Sequence, residues 1–356
     1  MTRQSIANIP ALRLPSLAVV SALLVSGCQN NEERVYELPD ASGQPVAVIS
    51  AAAETDPVAS SEDAADDAVV LVPADGNAAW IVGADKRFGL RVYALDGSEV
   101  DAFNVGRLNN VDAIRTGDDE FLLAASNRTT LAIDLFRAVI EDDELTITIA
   151  DPIPLALLEP YGLCAASIDG ATSIFVGNRS GRVEEWQIDA DGRGIPARVF
   201  EFPSQTEGCV VDIPGNRLFV GEEDVGIWSV DFATGDQVLV AQTGGVDLTA
   251  DVEGLDIYAD GSQRYLVASS QGSHSFAVYR LPEVDLVATF RIGPDATLGI
   301  DGVLDSDGVA VTSAALPGYP AGVLVVQDGF NEMPKANQNF KIVDWRVIEE
   351  ALSLSE

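Results

Sequence analysis

The sequence predicts an all-β fold, and specifically a six-bladed β-propeller. From Asp66 onward, short β-rich runs alternate with Gly, Asp, Asn and Pro, and no stretch has convincing helical periodicity. A pattern of apolar strand, small residue, polar cluster and second strand recurs at intervals of about 40 to 60 residues, the size of a four-stranded blade. A β-sandwich is the alternative, but the even spacing favours the propeller. The six copies begin at Trp80, Leu122, Ile174, Leu218, Tyr265 and Gly322.

The N-terminus has the pattern of an export signal, which divides the chain into three parts. Arg3 and Arg13 form a basic region, and an apolar run too short to span a bilayer follows and ends at Ser26-Gly27-Cys28. A cysteine in this context resembles the bacterial lipobox, so we expect residues 1–28 to be a lipoprotein signal peptide with lipidation at Cys28. Simple secretion is the alternative. Residues 29–65 are predicted to be an acidic flexible tether, and 66–356 the propeller.

The charge balance restricts the choice of partners. The formal net charge is −35 over 356 residues, which repels nucleic acid and anionic membrane surfaces. We therefore expect no nucleic-acid partner, and membrane contact only through the lipid anchor. The same acidity suits Ca²⁺, which takes several oxygen ligands. Salt adaptation or solubility is the alternative explanation of the bulk charge.

Histidine and cysteine usage excludes several kinds of catalytic site. The sequence contains one histidine, His274, which lies in a Ser-rich hairpin and is predicted to be a surface turn residue. The exported part keeps two cysteines, Cys164 and Cys209, in strands of neighbouring blades, and whether they pair stays open. Histidine-based zinc sites, Ser-His-Asp triads and a phosphohistidine intermediate are therefore excluded.

The repeat brings polar residues of different blades to one face. In the fourth copy, Glu207 begins one strand, and Glu222 and Glu223 end the next, after a Pro-Gly-Asn turn. Antiparallel pairing places those two ends at the same edge, so Glu207 is predicted to meet Glu222 and Glu223. The same reasoning puts Asp67 beside Asp85-Lys86-Arg87, and Asp251 and Glu253 beside Gln271.

Two kinds of charge are therefore expected to converge around the central channel. Crowded carboxylates raise one another's pKa, and a bound divalent cation removes that conflict; oxygen donors favour calcium. Basic side chains at equivalent positions of three blades can hold phosphate oxygens, so the face is predicted to bind a polyanionic phosphate. Taken singly, each carboxylate could instead be a turn residue and each arginine a solvated charge. The carboxylates are Asp67, Glu207, Glu223, Asp251, Glu253 and Asp307, and the bases Lys86, Arg87, Arg128 and Arg179.

At these residues the sequence resembles the β-propeller, calcium-dependent phytases. The resemblance runs from about Asp66 to Trp345, and the order of its motifs makes it specific. The motifs are Gly83-ADKRFGL, Tyr161-GLC, Thr206-EGC, Gly221-EEDVGIW, Asp251-VEGL, Ser269-SQG and Asn337-QNFK.

The resemblance implies calcium-dependent hydrolysis of inositol hexakisphosphate (phytate), with phosphate and lower inositol phosphates as products, at a cleavage site beside a second phosphate site. By motif, phosphate contacts are implied for Lys86, Arg87, Arg128, Tyr161 and Arg179. Calcium binding and water activation are implied for Glu207, Glu223, Asp251, Glu253, Gln271 and Asp307, and Asp67 matches an acid of the Asp-Asp-Pro motif.

The chain departs from the family pattern at several positions. The Pro and Trp of the first motif are replaced, so that Ala68 follows Asp66-Asp67. Arginine replaces the usual lysine at 87 and 179, and Ala310 stands where a second Asp is common. The last change removes one expected calcium ligand.

Other functions stay open at this point. A propeller phosphatase of broader substrate choice is the alternative within enzymes. A non-catalytic calcium-dependent propeller that captures phosphorylated ligands, or a structural scaffold in the envelope, is the alternative outside them. Because propellers close on themselves, we expect a monomer.

Overall fold

The computed structural model describes residues 46–155 and 159–354, so the predicted signal peptide, Cys28 and residues 29–45 of the predicted tether lie outside the described residues. Within those two ranges, no helix is both long and apolar enough to cross a membrane.

Six small sheets make up the part of the chain that the structure describes, which confirms the predicted six-bladed propeller. Two short strands come first: β1 (Ala47–Ser50) and β2 (Ala53–Glu54). Blade 1 contains β3 (Ala65–Leu71), β4 (Trp80–Asp85), β5 (Gly89–Ala94) and β6 (Glu99–Asn104). Blade 2 contains β7 (Leu108–Arg115), β8 (Glu120–Asn127), β9 (Ala132–Glu141), β10 (Glu144–Ile149) and β11 (Ile153–Pro154). Blade 3 contains β12 (Leu163–Ile168), β13 (Ala171–Val176), β14 (Arg182–Ile188) and β15 (Gly194–Glu201).

The second half of the ring repeats this arrangement. Blade 4 contains β16 (Thr206–Asp212), β17 (Arg217–Glu222), β18 (Gly226–Asp231) and β19 (Gln237–Gln242). Blade 5 contains β20 (Val252–Asp260), β21 (Gln263–Ser270), a 3₁₀ turn (Gln271–Ser273), β22 (Ser275–Arg280) and β23 (Asp285–Gly293). Blade 6 contains β24 (Val309–Thr312), β25 (Val323–Asp328) and β26 (Asn339–Asp344), and helix α1 (Trp345–Leu352) follows.

The core lies between blades, and strand periodicity explains why. Successive side chains of a strand point to opposite faces of its sheet, so each strand contributes side chains to the apolar layers on both sides of its blade. On β17, Leu218 and Val220 pack in the layer shared with blade 3, whereas Phe219 packs in the layer shared with blade 5. The described residues form six such apolar layers, one at each blade junction. The alternation therefore closes the ring without a separate core.

The N-terminal strands complete blades 5 and 6, which corrects the predicted domain boundary. β1 pairs in parallel with β23, and β2 pairs with β26 as the fourth strand of blade 6. Val46, Ile49 and Val58 are buried, so residues 46–65 belong to the propeller and not to a flexible tether. The Ala- and Ser-rich composition suggested a tether, but the β-branched run Val46-Ala-Val-Ile49 fits an edge strand.

A buried lysine stabilises the pairing of β2 with blade 6. The ammonium of Lys341 on β26 is fully buried and contacts the carboxylates of Glu54, Asp301 and Asp328, with a distance of 3.3 Å from Nζ to Oδ2 of Asp328. Burial alone would lower the pKa of Lys341, but the carboxylates, led by Asp328, raise it. The cation therefore stays charged and ties β2 to blade 6.

Two further features were not settled by the sequence. Helix α1 departs from the expectation of no helix: the Asp344 side chain caps it by accepting a hydrogen bond from the Arg346 N–H, and its buried Trp345 stacks on Tyr258. Cys164 and Cys209 form a disulfide between β12 and β16, the innermost strands of blades 3 and 4.

Candidate active site

The predicted ring of polar residues lies where the innermost strands of the blades begin. Four of these positions are followed directly by glycine, in Tyr161-Gly162, Glu207-Gly208, Glu253-Gly254 and Asp307-Gly308. A Cβ on Gly162 would lie 1.9 Å from the carbonyl oxygen of Glu207, and a Cβ on Gly208 would lie 2.0 Å from that of Glu253. Only glycine permits this approach, so each site residue sits directly against the backbone of the next one around the ring.

Three carboxylates of blades 4 and 5 form the centre of the site. Glu207 on β16 and Glu253 on β20 are buried, and Glu223, just after β17, is half-buried. One carboxylate oxygen from each lies within 4.8 Å of the others, a spacing that allows all three to hold one metal ion. The antiparallel register of β16 and β17, with Thr206 opposite Glu222, produces the predicted meeting of Glu207 and Glu223.

The crowding raises the pKa of these carboxylic acids. Burial, followed by the charge of Glu207, raises the pKa of Glu223 to about 8. Burial and the Glu207 charge also raise the pKa of Glu253 well above its ordinary value. Without a cation, the cluster therefore retains protons near neutral pH.

The oxygen atoms of this cluster are suited to binding a hard divalent cation. Oε2 of Glu253 and both carboxylate oxygens of Asp66 are buried and have no hydrogen-bond partner among the described residues. Buried polar atoms are normally paired, so these oxygens have free capacity for a ligand. All the donors are oxygen atoms, which suits Ca²⁺ or Mg²⁺ better than zinc or copper.

Asp251, Gln271 and Asp307 adjoin this cluster. Nε2 of Gln271 donates to Oδ1 of Asp307 over 2.6 Å, and the Gln271 N–H donates to the Asp251 carbonyl over 3.0 Å. Asp251 is half-buried, and burial followed by Asp224 and Glu207 raises its pKa. The predicted neighbourhood of Asp251, Glu253 and Gln271 is therefore present.

Lys86 brings a positive charge into the ring. Its Nζ lies 2.7 Å from Oδ2 of Asp307, 2.8 Å from Oδ1 of Asp63 and 3.5 Å from Oδ2 of Asp66. Burial lowers the pKa of Lys86, but Asp66 and the other carboxylates outweigh it, so the pKa is raised. Lys86 is therefore a permanent cation at the edge of the carboxylate cluster.

Tyr161 and two arginines form a second positive region. The guanidinium carbons of Arg128 and Arg179 lie 5.3 and 4.8 Å from the centre of the Tyr161 ring. Arg179 is exposed, whereas the Arg128 side chain is mostly buried. Burial, followed by the charge of Glu207, raises the pKa of Tyr161, so its phenol stays protonated. The three predicted phosphate contacts from blades 2 and 3 therefore form one group.

Arg87 is the predicted phosphate contact that turns away. Its Nη2 lies 2.8 Å from Oε2 of Glu62, and its Nε donates to the Asp63 carbonyl over 3.1 Å. The side chain is 48% exposed, so these contacts hold it weakly at the rim.

Asp67 does not lie beside Lys86, which corrects that prediction. Its Oδ2 accepts hydrogen bonds from Nδ2 of Asn110 and from the Val111 N–H, and it lines the central channel. The register of β3 and β4 shifts between Ala65 and Ala68, and this bulge turns Asp66, not Asp67, towards Lys86.

The predictions for Glu222 and His274 had different outcomes. Glu222 does not join the cluster, because its carboxylate accepts hydrogen bonds from Oγ of Ser204 and from Nε1 of Trp228. His274 is an exposed turn residue, as predicted, and its Nδ1 accepts from the Asp305 N–H over 3.0 Å.

Sequence reasoning missed three residues of the site. Asp66 and Asp63 contact Lys86, and Asn109 on β7 donates to Oε1 of Glu207 over 2.7 Å. Asp66 precedes Asp67 in the first motif, and Asn109 precedes Asn110 in the sequence, but the strand phase that decides which residue of each pair faces the site is not evident from the sequence.

Together, the fold and this site define a β-propeller with a carboxylate cluster able to hold a metal ion and adjacent bases able to hold an anion. A family model described as Phytase matches residues 15–355. The chain is 38% identical over 360 residues to the 3-phytase of Bacillus subtilis (strain 168), which covers 94% of this chain and 91% of that protein. The chain therefore belongs to the phytase family and is a phytase-type hydrolase.

Proposed function

We propose that this enzyme hydrolyses phytate with calcium as its cofactor and releases phosphate and lower inositol phosphates. The observation that carries the proposal is one ring in which the Glu207–Glu223–Glu253 cluster adjoins Lys86 and the Arg128–Tyr161 pair. The substrate follows from family membership and from the similar protein, whose name is 3-phytase.

Calcium is the cation that this donor set supports best. It takes six to eight oxygen ligands in flexible geometry, whereas magnesium keeps most of its water and binds through one or two carboxylates. Glu207, Glu223, Glu253 and Asp251 supply more carboxylates than magnesium uses, and Oε2 of Glu253 and the Asp66 carboxylate, which accept no hydrogen bond from the described residues, have room for a ligand. Gln271 and Asp307 are the further proposed ligands, and Asp67 is proposed to serve a separate position in the channel.

In this scheme the basic residues bind and orient the phosphate that is cleaved. Lys86, Arg128 and Arg179 hold its oxygens by charge-assisted hydrogen bonds, and the Tyr161 ring packs against the two guanidinium groups. Arg87 is proposed to leave Glu62 and bind a phosphate at the rim. Calcium, when bound, offsets the charge that develops on the phosphate and lowers the pKa of the water that attacks phosphorus. Glu207, Glu223, Asp251 and Glu253 hold the cation and are the groups available to accept the proton of that water.

The charge of the chain favours phytate as a calcium complex. A protein with a net charge of −35 repels a free polyanion over a distance of about one Debye length, ~8 Å at physiological salt. Calcium carried by the substrate reduces that repulsion and delivers the cofactor together with the phosphate. We therefore propose the calcium complex as the species that binds.

We further propose that the enzyme is exported, anchored in the bacterial envelope by a lipid on Cys28 and monomeric, and that it serves phosphate acquisition. The support is the sequence Ser26-Gly27-Cys28 after a short apolar run, together with the closed ring of blades. Detergent partitioning of the full chain and of Cys28→Ser tests the anchor: equal partitioning would contradict it. Light scattering of the detergent-free protein tests the monomer, and a dimer mass would contradict it.

The proposed activity is tested by phosphate release from phytate by the full chain, with calcium, after chelation and after calcium is restored. We expect release that stops with the chelator and returns with calcium, and slower release from p-nitrophenyl phosphate. Equal rates on both substrates would indicate a phosphatase of broader specificity. Binding without release, by folded protein, would indicate a capture module instead.

A further inference from the structure

Asn109 lies between the carboxylate cluster and the phosphate-binding arginine. It is at the start of β7 and is fully buried. Its Nδ2 donates to Oε1 of Glu207 over 2.7 Å and to Oδ1 of Asn110 over 3.1 Å, and its Oδ1 accepts from Nη1 of Arg128 over 3.2 Å. The Asn109 side chain therefore bonds both to a carboxylate of the acidic cluster, that of Glu207, and to the guanidinium of Arg128.

These three bonds allow one orientation of the amide. Reversing it would place Oδ1 against the Glu207 carboxylate and the NH₂ group against the Arg128 guanidinium. Both contacts would be repulsive, and both would leave charged groups without partners in a buried position. The position of Glu207 therefore constrains the position of Arg128, and the position of Arg128 constrains that of Glu207.

Arg128 depends on this contact for its position. Among residues 46–155 and 159–354, its side chain makes one hydrogen bond, the one to Asn109, and its buried Nε has no hydrogen-bond partner. Its other contacts are the Tyr161 ring and Oε1 of Glu159, which lies 3.8 Å from Nε and belongs to an exposed side chain. Neither contact is a hydrogen bond, so Asn109 supplies the one directional contact of this guanidinium among the described residues.

We propose that Asn109 is a positioning residue that couples cation binding at Glu207 to anion binding at Arg128. The inference rests on the proposed function, because it assumes a cation at the carboxylates and a phosphate at the bases. When a cation draws the Glu207 carboxylate into place, Asn109 holds the Arg128 guanidinium with it, in the orientation that binds the anion. Asn109 itself does not touch the reacting atoms.

A binding experiment on the full chain tests this without turnover. The probes are calcium alone, and myo-inositol hexasulfate, which presents a similar ring of anionic groups and has no phosphate to release. Calorimetry gives the Kd of each for the wild type, Asn109→Ala, Arg128→Ala and the double variant. We expect Asn109→Ala to raise the hexasulfate Kd about fivefold or more in the presence of calcium, because bonds to charged groups are among the stronger hydrogen bonds.

The double variant separates positioning from a general structural effect. If Asn109 acts through Arg128, Asn109→Ala raises the hexasulfate Kd less than about twofold once Arg128 is replaced. Asn109→Ala should also weaken calcium binding in the absence of the anion. The same substitution should have no effect on calcium binding in a protein that already carries Glu207→Gln. The same fold-change in both backgrounds, or no change in either, would overturn the proposal.

Two controls keep the outcomes distinct. Asn339→Ala removes another fully buried amide that donates to a carboxylate, that of Glu54, in blade 6, and should leave both Kd values unchanged. If Asn109→Ala fails to fold, Asn109→Ser serves in its place. Wild-type protein that binds no calcium would refute the proposed function, whereas calcium binding that is unaffected by the Asn109 variants would refute only this inference.

Discussion

Gly208 shows how one small residue determines the geometry of the carboxylate cluster. It follows Glu207 and packs on the carbonyl of Glu253, so it sets the separation of the two carboxylates around the ring. A methyl group there cannot be accommodated by a flexible side chain, because the neighbouring atoms belong to the backbone. The same contact at Gly162 sets the separation of Tyr161 and Glu207.

We therefore expect Gly208→Ala to lower phytate hydrolysis more than tenfold and to cost about 1–3 kcal/mol of stability through overpacking. Initial rates and chemical denaturation measure the two effects. Gly117→Ala is the control, because the atoms nearest to a Cβ there belong to the half-buried side chain of Glu120 at the start of β8, at 3.3 Å or more. Wild-type activity in Gly208→Ala would show that this spacing is not critical.

The raised pKa of Glu223 predicts how calcium binding depends on pH. Its pKa is about 8 in the folded protein and close to 4.3 in an unfolded chain. Between those values the folded, metal-free protein holds a proton that the unfolded chain has lost, so its free energy of unfolding falls as the pH rises through this window. A cation that binds to Glu223 must displace that proton, and calcium is the cation that we propose.

Calcium binding at pH 7 is therefore expected to release roughly one proton or more, and less as the pH rises above 8. Calorimetry in two buffers of different ionisation enthalpy measures the number. The apparent calcium affinity should rise with pH up to about 8. Proton release that is close to zero at pH 7 would contradict a protonated cluster.

The disulfide joins two strands, β12 and β16, that begin at the two halves of the site. Cys164 follows Tyr161 by three positions and Cys209 follows Glu207 by two, on β12 and β16. The bond closes a loop with a sequence separation of 45 residues, which restricts the unfolded chain. It therefore stabilises the junction of blades 3 and 4.

Replacing both cysteines by serine is expected to cost about 2–4 kcal/mol of stability. Urea denaturation of the double variant measures this, and the addition of a reductant should change the double variant no further. A loss in stability without a comparable change in the KM for phytate would show that apolar packing alone holds Tyr161 near Glu207. Unchanged stability would contradict the prediction.

The hairpins could be predicted from the sequence, whereas strand phase and distant pairing could not. β16 and β17 were evident because Glu207-GCVVD and Arg217-LFVG flank a Pro-Gly-Asn turn. The bulge in β3 reversed the roles of Asp66 and Asp67, because a shift of one residue exchanges the faces of a strand. β1 and β2 contain four and two residues and pair with strands at the other end of the chain, so no local pattern identified them.

The ring of blades is closed by strands β1 and β2, which precede blade 1 in the sequence. β2 supplies the outer strand of blade 6, β1 extends blade 5, and Lys341 joins Glu54 to two carboxylates nearby. The sequence repeat identified six units, but it could not show that the last unit is completed from the first part of the chain.

A chain that begins at Asp66 should therefore be less stable than one that begins at Val46. The lost burial of Val46, Ile49 and Val58 alone amounts to about 1.5 kcal/mol or more for each side chain. Thermal unfolding of the two chains measures the difference. Equal melting temperatures would show that β1 and β2 do not close the ring.

We propose that calcium at the Glu207–Glu223–Glu253 cluster drives phytate hydrolysis. The most direct test titrates calcium while phosphate release and calcium binding are followed for the wild type, Glu253→Gln and Glu222→Gln. Glu222 is the matched control, because its carboxylate is bonded to Ser204 and Trp228 outside the cluster. We predict that Glu253→Gln shifts both curves to higher calcium by about tenfold or more, whereas Glu222→Gln leaves them in place. Wild-type curves for Glu253→Gln, or release that does not depend on calcium, would contradict a calcium-dependent reaction at this cluster.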